Sequence, residues 1–208
     1  MGRADEFYRF LFEHGVAADE AAGFDLHVVS CILALAASEA DAEGVPLSDR
    51  TGLDAAGLTQ LCALFFPDLA LSTERPPAGL DQHEQTLRDI LWMNSAEASL
   101  LELLLSRMIA RRCQRPNHLW QDLGLASRGE LSRLMQRHFP RLAERNSNDM
   151  KWKKYFYRMM CSSEGFRLCA APVCNECDDF EDCFGGEDGE SLLARMANGR
   201  DVSMEARP

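Results

Sequence analysis

Apolar residues recur at helical spacing through most of the first 160 positions, and β-branched runs with period-two alternation are nearly absent. The pattern predicts an all-α fold, a helical bundle-like domain over residues 1–160. Phe7, Phe10, Leu11 and His14 mark a first amphipathic helix, with Gly15 placed at its C-cap. Leu26 to Ala40 is apolar nearly all round and belongs in the core. Asp54 caps a third helix through Leu58, Leu61 and Leu64 to Phe66, where Pro67 stops it.

The stretch from Ser72 to Gly79, with Pro76 and Pro77, reads as a loop. Periodicity returns from Leu87 through Leu105 to Ile109, as one long helix or as two broken at Asn94-Ser95 with Ser95 as the second cap. Ser127-Arg128-Gly129-Glu130 fits a capping box before Leu131, Leu134, Met135 and Phe139, and Pro140 bends or ends that helix. Asn148 or Asp149 caps a basic and aromatic helix, Lys151 to about Cys161.

After Gly165 the pattern changes. An irregular Cys-rich segment over 161–190 has too few apolar residues for a core of its own, so something else must order it. Residues 191–208 are expected to form a short helix, Ser191 to Ala197, and a frayed tail. No internal repeat is visible.

The chain has 208 residues, 22 Lys+Arg and 33 Asp+Glu, a formal net charge of -11 that disfavours nucleic acid and anionic lipid as partners. The charge is unevenly placed: residues 1–106 sum to -13, 107–158 to +9 and 159–208 to -7. Acids near the N-terminus and the absence of a basic-then-apolar leader point to the cytoplasm. The most apolar stretch, Val28 to Ala37, falls short of the roughly 20 residues that span a bilayer. In a reducing compartment eight cysteines suggest metal or redox chemistry before disulfides.

Cys169, Cys174, Cys177 and Cys183 form a C-x4-C-x2-C-x5-C cluster on the segment that cannot fold alone. Bound metal would supply its missing ordering energy. Only Cys174 and Cys177 make a zinc-type knuckle, whereas the first three cysteines follow the C-x4-C-x2-C order of plant-type ferredoxins, so spacing favours an iron–sulfur centre over zinc. Cys31 and Cys62 sit among apolar residues as core thiols. Cys161 is either a spare ligand or a packing residue. Cys113, flanked by Arg111, Arg112 and Arg115, is expected to have a lowered pKa.

Arg107, Arg111, Arg112 and Arg115 lead into Pro116-Asn117-His118-Leu119-Trp120-Gln121-Asp122. Arginine forks suit oxyanions, and His118 suits a ligand or proton carrier if it faces a pocket; otherwise the arginines form a solvated helix face. Farther on, Lys151-Trp152-Lys153-Lys154 reads alone as a nucleic-acid patch. The acidic flanks argue against that. Consecutive aromatics on a helix point in different directions, which places most of Trp152, Tyr155, Phe156 and Tyr157 in the core, while the lysines are free to answer the acids of Asp178 to Glu190.

Three blocks in order, Arg111 to Leu125, Asp149 to Arg158 and the cysteine cluster ending in Cys183-Phe184-Gly185, resemble the nitrogen-fixation family NifQ. The resemblance covers about residues 107–186, and the cluster is its most specific part. It implies an iron–sulfur protein, not a catalyst of turnover, that carries molybdenum and donates it for the nitrogenase iron–molybdenum cofactor. It further implies Cys169, Cys174, Cys177 and Cys183 as ligands of a 4Fe–4S or 3Fe–4S type cluster, and NifEN and NifH as partners. A cationic reception surface beside thiolates suits molybdate, with Arg111, Arg112, Arg115 and His118 as candidate receivers and Cys113 or Cys161 as an additional thiolate.

Two other classes fit the residues. One is an iron–sulfur electron-transfer protein without a heterometal, and the other a zinc-stabilised module whose basic helix binds a partner protein. A hydrolase or transferase ranks below both, since the sequence shows no nucleotide loop and no defensible Ser/His/Asp arrangement.

Overall fold

A computed structural model describes residues 2–71, 75–147 and 150–163, with side chains as far as Met160. The described residues form helices and connecting turns, without strands, as the helical periodicity predicts. Arg3–His14 is α1, Glu20–Glu43 α2, Leu47–Thr51 α3, Ala55–Phe65 α4, Gln82–Met93 α5, Leu100–Arg112 α6, Leu119–Asp122 α7, Arg128–His138 α8, Pro140–Arg145 α9 and Trp152–Ser163 α10.

The long central helix α2 starts where the Asp19 carboxylate accepts from the Ala22 N–H and stops at Gly44, which takes a left-handed conformation with φ +65°. It is longer than the apolar run alone suggests. By length and composition it is long and apolar enough to cross a membrane, which corrects the expectation drawn from Val28 to Ala37. Most of it is buried inside the protein: Val29, Ile32, Leu33 and Ala36 are sealed against α1 and α3 and the rest of the apolar cluster. That is the place of a core helix.

Asp54 caps α4 by accepting from the Gly57 N–H, as its position before the apolar run predicts. The break at Asn94 is also found, but the cap of α6 is Ser99 rather than Ser95. Ser95 turns its hydroxyl back to the Trp92 carbonyl at 2.7 Å. The buried Glu102 carboxylate gathers the backbone N–H groups of Ala96, Glu97 and Ser99, and so holds a turn in which Ala98 adopts φ +53°. Ser127 caps α8, although Glu130 accepts from the Ala126 N–H instead of closing the predicted box. Pro140 occupies the first turn of a new helix, α9, where its missing N–H costs nothing.

One apolar cluster runs from Leu11 to Met160. Trp152, Tyr155, Phe156 and Tyr157 all join it, with Trp152 edge-on to Tyr155 at 5.6 Å, so the aromatics of the basic helix are core residues. The buried Asp25 enters this interior with two basic partners. His138 Nε2 meets Asp25 at 2.8 Å, and the Arg137 guanidinium grips the same carboxylate at 2.8 and 2.9 Å. Burial alone would raise the pKa of Asp25, but the hydrogen bonds from His138 and Arg137 bring it below the usual carboxylate value.

Candidate metal centre and the basic block

The four cluster cysteines Cys169, Cys174, Cys177 and Cys183 lie outside the described residues, as do the side chain of Cys161 and the acids of Asp178 to Glu190. The described body contains the chain that leads to them and the whole basic block from Arg107 to Asp122. No group of three or more His, Cys, Asp or Glu able to hold a metal occurs among the described residues. Cys31 and Cys62 are buried core thiols, as their apolar neighbours predict.

Cys113 departs from expectation. Its flanking arginines turn away to carboxylates, and the thiol is sealed in the interior at 0% exposure. Burial pushes its pKa up to about 12, which outweighs the downward pull of nearby Lys153. A thiol held neutral in this way is neither an activated nucleophile nor a ready metal ligand.

Each of the three candidate receiving arginines is engaged. Arg112 is fully buried and meets Glu39 of α2 fork to fork at 2.6 and 2.8 Å, while its Nε donates to the Asp122 carbonyl. Arg115 donates to Glu43 at 3.0 Å, one turn farther along α2. Burial raises the Glu43 pKa, but the Arg115 and Arg50 guanidiniums beside it bring it below the usual carboxylate value. Arg111 reaches Glu84 of α5 at 3.0 Å and the Ala78 carbonyl at 3.1 Å. Receiving an oxyanion on these forks would mean displacing those partners. His118 stands at the N-cap of α7, where its backbone N–H donates to the Gln121 side chain at 3.1 Å.

The two upstream motif blocks touch. Lys153 of α10 donates to the buried Asp122 carboxylate and to the Arg115 carbonyl, both at 2.5 Å, and Asn117 donates to the other Asp122 oxygen at 3.1 Å. Lys153 therefore answers Asp122. Glu39, Glu43, Glu84 and Asp122 are the partners that the sequence reading missed. Their one local signal is the spacing of Glu39 and Glu43, four apart on one helix face.

A helical body whose basic block is knitted to an acidic helix, followed by a segment carrying four clustered thiols, defines an all-α protein with an appended cysteine motif. The NifQ family model matches residues 28–185, which takes in α2 and continues through Cys183. The chain belongs to the NifQ family, which acts in nitrogen fixation, in molybdenum processing for the iron–molybdenum cofactor. It is 40% identical over 172 residues to a Protein NifQ homolog of Sinorhizobium fredii, covering 81% of this chain and 75% of that protein. Over 156 residues it is 40% identical to Protein NifQ of Rhodobacter capsulatus, covering 74% of this chain and 86% of the relative. Protein NifQ of Azotobacter vinelandii is 37% identical over 151 residues, 65% of this chain and 77% of the relative. No solved structure matches the chain.

Proposed function

We propose that this chain is a cytoplasmic iron–sulfur protein that binds molybdenum and donates it for synthesis of the iron–molybdenum cofactor, as a carrier and not an enzyme, with NifEN and NifH as its partners. The observation that carries the reading is the family match through residue 185, which includes the whole C-x4-C-x2-C-x5-C cluster.

The donor chemistry fits. Four thiols within 15 residues, Cys169 to Cys183, are the soft donors that iron–sulfur centres use. Cys31, Cys62 and Cys113 are packed into the core and do not compete with them. Cys169, Cys174, Cys177 and Cys183 would hold the cluster, whose sulfides supply the sulfur environment that molybdenum needs once it leaves its oxyanion form. The helical body anchors the start of that segment through α10, which the core aromatics and Lys153 fix against the rest of the protein.

Anaerobic purification with iron, sulfide, molybdenum and zinc measured on one sample, and electron paramagnetic resonance before and after molybdate is supplied, tests the reading. Iron and sulfide with a molybdate-dependent spectrum, both lost in Cys177→Ala, are expected. Iron and sulfide without molybdenum would replace the carrier reading with electron transfer. Zinc alone would sink it in favour of a structural knuckle.

A further inference from the structure

Arg107 stands apart from the other arginines of the basic block. It lies on α6 one turn before Arg111, yet it forms no hydrogen bond or ion pair among the described residues. It lines a cleft of about 380 Å³ between α5 and α6, roofed by Pro76 and Pro77 and bordered by Gly52. Arg88 of α5 lines the same cleft. Its Nη2 donates to Glu84 at 2.5 Å and to the Gly52 carbonyl at 3.1 Å, but its buried Nε has no acceptor.

Glu84 serves both Arg88 and Arg111, so one buried carboxylate answers two guanidiniums and leaves Arg107 without a partner. Burial lowers the pKa of Arg88, and the neighbouring Arg111 and Arg107 charges press it further down against the pull of Glu84. Asp54 and Asp89 also line the cleft, but neither pairs with Arg107 or Arg88. The Asp54 carboxylate accepts from the Gly57 N–H at 2.8 Å, and the exposed Asp89 accepts from Gln85 at 2.9 Å. The unpaired Arg107 guanidinium borders a space large enough for a small ligand. Its fork suits an anion with several acceptor oxygens.

We propose that the Arg88–Arg107 cleft holds molybdate as an intact oxyanion, an inference that rests on the molybdenum-carrier reading above. Arg107 has no existing ion pair to break, unlike Arg88 beside it and the forks of Arg111, Arg112 and Arg115. Helix α5, which supplies Arg88, also packs against α10, from whose end the chain runs on to Cys169. The capture site and the root of the thiol segment thus share one supporting helix.

Equilibrium dialysis of the full chain against molybdate, with iron and sulfide measured on the same samples, tests this. About one molybdate per chain is expected, with roughly tenfold weaker binding in Arg107→Gln and partial retention in Arg107→Lys. Arg141→Gln, an exposed control, should bind as the parent does. Cys177→Ala should lose iron and keep oxyanion binding. Equal binding by Arg107→Gln and the parent, or no binding by the parent, overturns the cleft, as does loss of binding in Arg115→Gln but not in Arg107→Gln. Sulfate that displaces molybdate at equal concentration would make this a general anion cleft and overturn the assignment to molybdate. A chain without iron that still binds molybdate through Arg107 would sink the carrier reading and leave the cleft standing.

Discussion

Arg112 and Glu39 lie 73 positions apart in the chain and face each other fork to fork at 2.6 and 2.8 Å, with the guanidinium wholly shut off from solvent. The pair joins the end of α6 to the second half of α2. Breaking one side of such a pair leaves an uncompensated charge in the interior.

Glu39→Ala is therefore expected to lower stability by about 3 kcal/mol in urea unfolding. Arg112→Lys should also be costly, because an ammonium cannot reproduce the two parallel hydrogen bonds and the additional contact to the Asp122 carbonyl. A loss under about 1 kcal/mol in Glu39→Ala would mean that Arg112 finds another partner.

Lys153→Met removes the cation that answers Asp122, whose side chain is 1% exposed. The expected loss is about 3 kcal/mol, and the double variant Lys153→Met with Asp122→Asn should recover part of it. Hydrogen exchange should report the damage first in α10 and in the turn around Asn117, since these are the elements that the contact joins.

Burial pushes the pKa of both Cys31 and Cys113 up to about 12, from an ordinary thiol value of 9.0. The neutral thiol is the form that the fold favours. This contribution is fully present below about pH 9 and is lost as pH rises towards 12, so stability should fall in that window by up to roughly 1.4 kcal/mol per pH unit for each thiol. Denaturant titrations between pH 8 and 11 on the parent and on Cys113→Ala check this, and the variant should show the shallower slope. At pH 8 a thiol reagent should leave Cys31 and Cys113 unmodified in the folded protein and label them after unfolding.

Gly52 ends α3 with φ +71°, and a Cβ there would come within 2.8 Å of Arg111 Cβ, 2.9 Å of Arg88 Nη2 and 3.0 Å of the Arg107 carbonyl. Gly52→Ala combines a disfavoured backbone with crowding from packed neighbours. A loss of about 2 kcal/mol is expected, read as a lowered midpoint of thermal unfolding. An unchanged midpoint would show that the border of the Arg88–Arg107 cleft can shift without strain.

Much of this architecture is legible in the sequence where the signal is local. Asp54 and Ser127 announce helix starts because a side-chain oxygen can reach a backbone N–H three residues on, and both do so. Helices α3 and α7, with 5 and 4 residues, are too short for apolar periodicity to show and escape notice. Ser95 and Ser99 look alike as caps. The choice between them depends on Glu102, which reaches back to Ser99 from the first turn of α6. In the basic block the residues that matter stand out, but the direction of each guanidinium does not. Arg111, Arg112 and Arg115 bracket Cys113 in the chain and leave it in space, because their partners Glu84, Glu39 and Glu43 come from distant helices. Sequence proximity therefore misjudges the thiol's acidity.

The pairing of Arg112 and Arg115 with Glu39 and Glu43 also bears on how the protein can be cut. The chain's negative first half and positive middle behave as complementary halves of one clasp, and neither is a module. A fragment beginning at Arg107 would carry +9 through Arg158 with its buried guanidinium stripped of its counter-ion, and one ending at Ser106 would strip Glu39 of Arg112 and leave Glu43 and Glu84 with Arg50 and Arg88 alone. The segment shared across the family begins at residue 28, upstream of Glu39 and Glu43, and so keeps both sides of the clasp together.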